Sequence, residues 1–231
     1  MIAIDYFWIH FVLYWSVGGL FTLFDLCGVS SNFLQKYRWH TRTPPRWGTL
    51  LVDAASVLFN QFIVTLPLGM LAHKWFSNNI GTDMSWSGYA GYFLGLLFIE
   101  EALFYYSHRL LHTKWFYDKV HYWHHRYVEP VALMAISAHP VEHLLSNVLP
   151  LVVGPIVLQT PCRVTKLWIA IATVNGILAH CGYHLGFKVK GGSHDLHHRF
   201  RTGNYGVIGL FDYLHGTRLD LKYSGTDSPV L

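Results

Sequence analysis

The chain has 231 residues, enough for one domain or one membrane bundle but hardly for two separate cores. Hydrophobic residues make up 52% and charged residues 13%, about half the charged share usual in soluble domains, which disfavours an ordinary water-soluble enzyme. The net charge of +4 is small and scattered, and no basic stripe, glycine-rich phosphate loop or base-stacking motif occurs, so nucleic acid is excluded as a partner.

In chain order, the N-terminal stretch "MIAIDYFWIHFVLYW" lacks a basic leader and a small-residue cleavage site and is read as an uncleaved segment. A bilayer-crossing helix needs about 20 mostly apolar residues. Residues 6–27 form one such run and residues 54–72 a second without any charge. Residues 84–99 continue the pattern until Glu100 and Glu101, residues 144–160 form a fourth run containing Pro150 and Pro155, and residues 167–179 a short fifth. "RTPPRWG" at 42–48 is a turn before the second span. Nine Trp and fourteen Tyr suit a lipid–water boundary. The expected fold is all-α: an integral membrane bundle of about four core helices plus an N-terminal apolar helix, carrying a cytosolic, helical, histidine-rich cap. Residues 1–90 are read as N-terminal membrane helices and 91–231 as the catalytic region of one integrated domain. Segments 28–48, 108–142 and 186–231 carry fourteen Lys and Arg, against three in 73–87 and 161–166. That bias places the histidine phrases on the cytosolic side. Cys27, Cys162 and Cys181 have no metal or redox spacing and are read as buried free thiols.

Sixteen histidines occur, and twelve fall between residues 108 and 198. They are grouped as "HRLLH" (His108, His112), "HYWHH" (His121, His124, His125), "HPVEH" (His139, His143), "HCGYH" (His180, His184) and "HDLHH" (His194, His197, His198). On a helix, positions i, i+3 and i+4 share a face, so H-x3-H and H-x2-H-H each aim imidazoles into a common space. One histidine on an apolar face is usually a satisfied core residue; five groups at ligand spacing indicate metal. Imidazole suits zinc, copper, iron and nickel, and ten or more histidines exceed one ion's needs. His10, His40, His73 and His215 lie outside the pattern and are read as interfacial.

The histidine order, with "AHPVEH", "AHCGYH" and "HDLHHRFRTGNYGVIGLFDYLHGT", resembles the membrane fatty acid hydroxylase and sterol desaturase superfamily from about Glu100 to Asp220, and within it the C-4 methylsterol monooxygenase branch. The resemblance implies a non-haem di-iron enzyme of the endoplasmic reticulum membrane, its active site facing the cytosol, that uses O2 to hydroxylate or oxidise a C–H bond of a lipid, a sterol or related polycyclic lipid first. A desaturase or a fatty-acyl or sphingolipid hydroxylase is the alternative within the superfamily. It also implies electrons from cytochrome b5 and its NAD(P)H-dependent reductase. Matched to the family's pattern, the metal ligands are His108, His112, His121, His124, His125, His180, His184, His194, His197 and His198. His139 is expected to shape its loop or support a ligand, and His143 to cap the following helix or support one.

Metal-bound imidazoles usually donate their other N–H to a carboxylate or carbonyl. Glu101 lies seven residues before His108 and eleven before His112, on their helical face, and is expected to support one of them; Glu100 is turned about 100° away. Asp195 and Glu142 sit beside ligands and are candidates for the same role. A histidine-rich metal transporter would hold its ligands at mid-bilayer on broken helices, and a haem protein would use lone facing histidines; neither pattern fits phrases placed beyond the apolar runs.

Overall fold

The computed structural model describes residues 2–26, 37, 46–80, 84–183 and 191–219. Among the described residues the chain is helical and no strand occurs. The helices are α1 (Ile2–Leu26), α2 (Trp47–Trp75), α3 (Trp86–Leu111), α4 (Lys114–Lys119), α5 (Pro140–Val157), α6 (Cys162–His180), α7 (Gly191–Phe200) and α8 (Leu210–His215). Four segments are long and apolar enough to cross a membrane: Ile4–Leu26, Trp47–Trp75, Pro140–Val157 and Cys162–His180. The fifth apolar run, expected to be short, extends to 19 residues. At about 1.5 Å per residue it approaches the roughly 30 Å of a hydrocarbon core. The helix carrying Glu100 and Glu101, α3, is 26 residues long but is not among the four, because glycines, tyrosines and that acidic pair dilute its apolar character.

Side-chain contacts fix how the helices run. α1 and α6 are parallel: Lys166 Nζ meets Asp5 at 2.9 Å near their starts, His10 meets Thr173 midway, and Tyr183 donates to Asp25 at 2.9 Å past their ends. α3 and α5 are antiparallel, with Ser146 donating to Ser107 at 3.0 Å at one end and Gly154 pressed on Leu96 nearer the other. α2 descends from Asp53 to Trp75, whose carbonyl accepts from Gln159 at 3.0 Å. The C-terminal ends of α1, α3 and α6 therefore gather at one end of the bundle with α4, α7 and α8. Leu20, Leu23, Leu51, Ile63, Leu71, Leu94, Phe98 and Ile171 are exposed on the bundle's flanks, as lipid-facing side chains are.

Two π-helical turns interrupt the spans, Asn60–Thr65 in α2 and His143–Val148 in α5, and they pack against each other. Each is followed two residues later by a proline, Pro67 or Pro150. Proline has no N–H and its ring clashes with the carbonyl four residues back, so the helix widens there. At the histidine end, the buried segment 131–138 is satisfied from the spans: Tyr14 donates to the Leu133 carbonyl at 2.7 Å, and Asn60 donates to the Ile136 and Ala138 carbonyls at 3.0 and 2.9 Å. Buried Asp53 accepts from Arg126, from Tyr127 at 3.1 Å and from Ser137 at 2.7 Å.

The end-to-end traverse is testable. In a chain whose three cysteines are replaced by alanine, single cysteines at exposed Trp115 and Arg163 should react with a membrane-impermeant maleimide from opposite sides of sealed vesicles. Reaction of both from the same side would contradict the arrangement.

Candidate metal centre

The last turn of α3 supplies His108, and its C-cap is His112. A 3-10 turn, His121–Arg126, supplies three more imidazoles, α6 ends on His180, and α7 carries His194, His197 and His198. Nine of the ten expected ligands converge in two groups: His108, His112, His121, His125 and His197 in the first, and His124, His180, His194 and His198 in the second. Within each group the ligand atoms lie within 4.8 Å of one another. His184, the tenth, lies outside the described residues, as do His40 and Cys27.

Each H-x2-H-H phrase divides between the groups instead of serving one space. His121 and His125 join the first while His124 joins the second; His194 and His198 join the second while His197 joins the first. The i and i+4 members stay together, and the i+3 member crosses over. The groups touch, with the rings of His125 and His198 4.5 Å apart between centroids.

Ring chemistry tests whether a cation suits these groups. Nδ1 of His108 donates to the Tyr205 carbonyl at 2.8 Å, that of His180 to Gly176 at 2.8 Å, and that of His197 to Gly203 at 2.7 Å. A carbonyl only accepts, so each of these rings, in its neutral form, presents Nε2 as a bare lone pair. The Nε2 atoms nevertheless crowd together: His197 stands 3.1 Å from both His112 and His125, His112 is 2.9 Å from His121, and His180 is 3.0 Å from His194 and 3.3 Å from His124. Two imidazole nitrogens bound at right angles about 2.1 Å from one ion would stand about 3.0 Å apart. Both ring nitrogens of His198 are buried without a hydrogen-bond partner among the described residues. Burial first, then the charges of neighbouring imidazoles, holds His121, His124, His125, His194, His197 and His198 well below the usual histidine range. They are neutral at pH 7, the form that binds a metal. With no thiolate and no carboxylate in either group, the donor set fits imidazole-loving ions such as iron, zinc or copper.

The surrounding carboxylates differ in part from expectation. Glu142 does pair with one of the expected ligands, its Oε1 2.9 Å from His121 Nδ1. Asp195 is buried within α7. Glu101 is buried on the His108 face of α3 but meets neither His108 nor His112. Its carboxylate accepts the backbone N–H groups of Val207, Ile208 and Phe211 at 2.6, 2.8 and 3.3 Å. Asp212 accepts from Tyr205 and Gly206 at 2.8 and 2.7 Å. Glu101 thus anchors the loop whose Tyr205 carbonyl orients His108, one step further from the ring than the helical spacing suggested.

The remaining histidines are placed as follows. His139, not His143, is the helix cap, its Nδ1 accepting from Val141 N at 3.2 Å. His10, expected at the interface, instead lines an internal cavity and bonds Thr173 at 3.0 Å and Gln61 at 3.3 Å. His73 is exposed and donates to the Met70 carbonyl at 2.7 Å; His215 stacks on Tyr105 and lies 3.1 Å from the Tyr106 hydroxyl. The cavity, of about 440 Å³, is reached by His108 and His121 of the first group and His124, His180 and His194 of the second, and extends to Tyr6, Ala72 and Phe76.

The fatty acid hydroxylase family model matches residues 93–217, more than half of the chain and all nine grouped histidines. The chain belongs to the fatty acid hydroxylase family. It is 36% identical over 212 residues to fatty acid hydroxylase domain-containing protein 2 of Homo sapiens, covering 89% of this chain and 63% of that relative. It is 34% identical to methylsterol monooxygenase 2-2 of Arabidopsis thaliana, covering 80% and 75% of the two chains. It is 28% identical to very-long-chain aldehyde decarbonylase GL1-8 of Oryza sativa subsp. japonica, covering 95% and 86%. This chain thus spans under two thirds of the human relative's length. No solved structure matches it.

The role of Glu101 leads to a comparison of three variants. A Cβ at Gly206 would stand 2.5 Å from Glu101 Oε1, so Gly206→Ala should displace the loop. Glu101→Gln puts an amide donor where donors already converge and should cost about 1–3 kcal/mol of stability. Thermal unfolding in detergent should show losses for Gly206→Ala and Glu101→Gln and a smaller loss for Glu100→Gln. An equal or larger loss at Glu100 would contradict the assignment.

Proposed function

We propose that this chain is a membrane-bound, O2-dependent oxidoreductase that oxidises a C–H bond of a lipid, most directly a sterol or related polycyclic lipid, at a two-iron centre. The observation that carries the proposal is the convergence of nine imidazoles, in two touching groups, at one end of an apolar cavity. His108, His112, His121, His125 and His197 would hold one ion, and His124, His180, His194 and His198 the other, with His184 a further candidate from its spacing to His180. Bound iron would supply electrons to dioxygen, which is what attack on an unactivated C–H bond requires. The protein orients the rings through the Tyr205, Gly176 and Gly203 carbonyls and Glu142, and holds the lipid in the cavity with its reactive carbon beneath His108 and His194. Hydroxylation balances as a C–H bond, O2, two electrons and two protons giving an alcohol and one water. The electrons would come from cytochrome b5 and its reductase, and the enzyme would reside in the endoplasmic reticulum membrane with the histidine end toward the cytosol, in keeping with the Lys and Arg bias.

The methylsterol monooxygenase relatives support a sterol-like substrate. The aldehyde decarbonylase relatives favour a second reading, an extended acyl lipid, in the same cavity. Purified protein loaded with iron in nanodiscs, with cytochrome b5, its reductase and NADH, should convert a 4-methylsterol and incorporate one atom from 18O2, read by mass spectrometry. Conversion of very-long-chain acyl lipids alone would establish the second reading, and no 18O in any product would contradict the proposal.

A further inference from the structure

A polar collar crosses the cavity where the two π turns meet. His143, at the start of the second π turn, is 2% exposed, and its Nε2 lies 2.8 Å from the hydroxyl of Thr65, the last residue of the first. Its Nδ1 is buried and has no hydrogen-bond partner among the described residues. His143, Thr65, Asn147 and Asn175 all line the cavity, and so do His10 and Thr173, bonded to each other at 3.0 Å. The i→i+5 geometry of a π turn brings residues four apart, such as His143 and Asn147, nearer to one line along the helix. His143 belongs to neither imidazole group.

Uncharged polar side chains within a membrane bundle are costly unless partnered. A buried ring nitrogen left unpaired is destabilising, so a partner for it is favoured. Among the described residues no Lys or Arg lines the cavity, whereas Glu100 and Glu142 do, so its charged side chains favour an uncharged group over an anionic one. We propose that this collar, with His143 Nδ1 as its anchor, is a binding subsite for an uncharged oxygen of the lipid, a hydroxyl or carbonyl, and that it fixes how far the lipid enters beneath the metal centre. Thr65 holds the ring through Nε2 and so aims Nδ1, and Asn147, in the same π turn, lines the same cavity with both a donor and an acceptor. The proline-driven widening of the two helices places these groups on the cavity wall. This inference deepens the reading of the chain as a lipid-oxidising enzyme, and its test is a binding measurement that needs no turnover.

The probes are two matched pairs, cholestanol with cholestane and octadecanol with octadecane, each competing against dehydroergosterol fluorescence on the full chain in nanodiscs. The wild type should prefer the alcohol of each pair by about five- to ten-fold, the usual worth of one neutral hydrogen bond. His143→Leu should abolish that preference with metal content unchanged, His143→Gln should restore part of it, and Thr65→Val should weaken it. If His143→Leu does not yield monodisperse protein, the His143→Gln and Thr65→Val pair carries the test through the graded loss. Equal displacement by alcohol and hydrocarbon in the wild type, or an intact preference in both His143→Leu and Thr65→Val, overturns the subsite. An alcohol preference in a protein that oxidises no lipid would sink the functional reading and leave the subsite standing, whereas oxidation without the preference would do the reverse.

Discussion

Bare imidazole nitrogens that face one another across about 3 Å repel, and the histidine end of this bundle brings several such pairs together. Among the described residues His112 and His197 each meet two other Nε2 atoms, and the backbone carbonyl behind His197 denies that ring the alternative tautomer. Such an arrangement is unfavourable on its own and favourable around a cation, because each neutral lone pair then has a positive partner. The rest of the structure can be understood as what holds these rings in place. The α3 and α6 ends bring His108, His112 and His180 level with each other, and the segment 131–138 closes the neck beneath them.

Two acidic residues extend that support in different ways. Glu142 stands against His121 itself, whereas Glu101 gathers three backbone N–H groups of the 206–211 loop and acts on His108 through Tyr205. A carboxylate buried among backbone donors has its hydrogen-bonding needs met without a cation, which explains how an acidic residue is tolerated near the end of a membrane-length helix. The apolar cavity runs from these rings toward Tyr6 and Phe76, so an apolar molecule inside it could present one end to the rings while its body stays out of water.

Much of this was legible in the sequence, because helix-forming apolar runs and ligand spacings are local signals. The membrane-type helical class and nine converging histidines follow from runs of about 20 apolar residues and from the H-x3-H and H-x2-H-H phrases. The division of each phrase between two groups was not legible, since it depends on the 3-10 geometry of His121–Arg126 and on where α7 packs. Periodicity put Glu101 on the correct face of α3, but its partners lie more than a hundred residues away on a loop that no helical rule places. His10 was misread for a related reason: an apolar helix says nothing about which of its polar residues turns toward a cavity. The π turns had a local cue, a proline in mid-span at Pro67 and Pro150, whose consequence for the cavity wall emerges only when the two helices meet.

The partition of the histidines is the central claim, and metal counting on adjacent residues tests it most directly. The account predicts two metal ions per chain in the purified protein by inductively coupled plasma mass spectrometry. His125→Ala and His124→Ala, one residue apart, should each retain about one ion, and combining His124→Ala with His194→Ala, both in the second group, should still retain one. Combining His124→Ala with His125→Ala should remove both. A single ion in the wild type, or loss of both ions in the His124 and His194 double variant, would contradict the two-site arrangement.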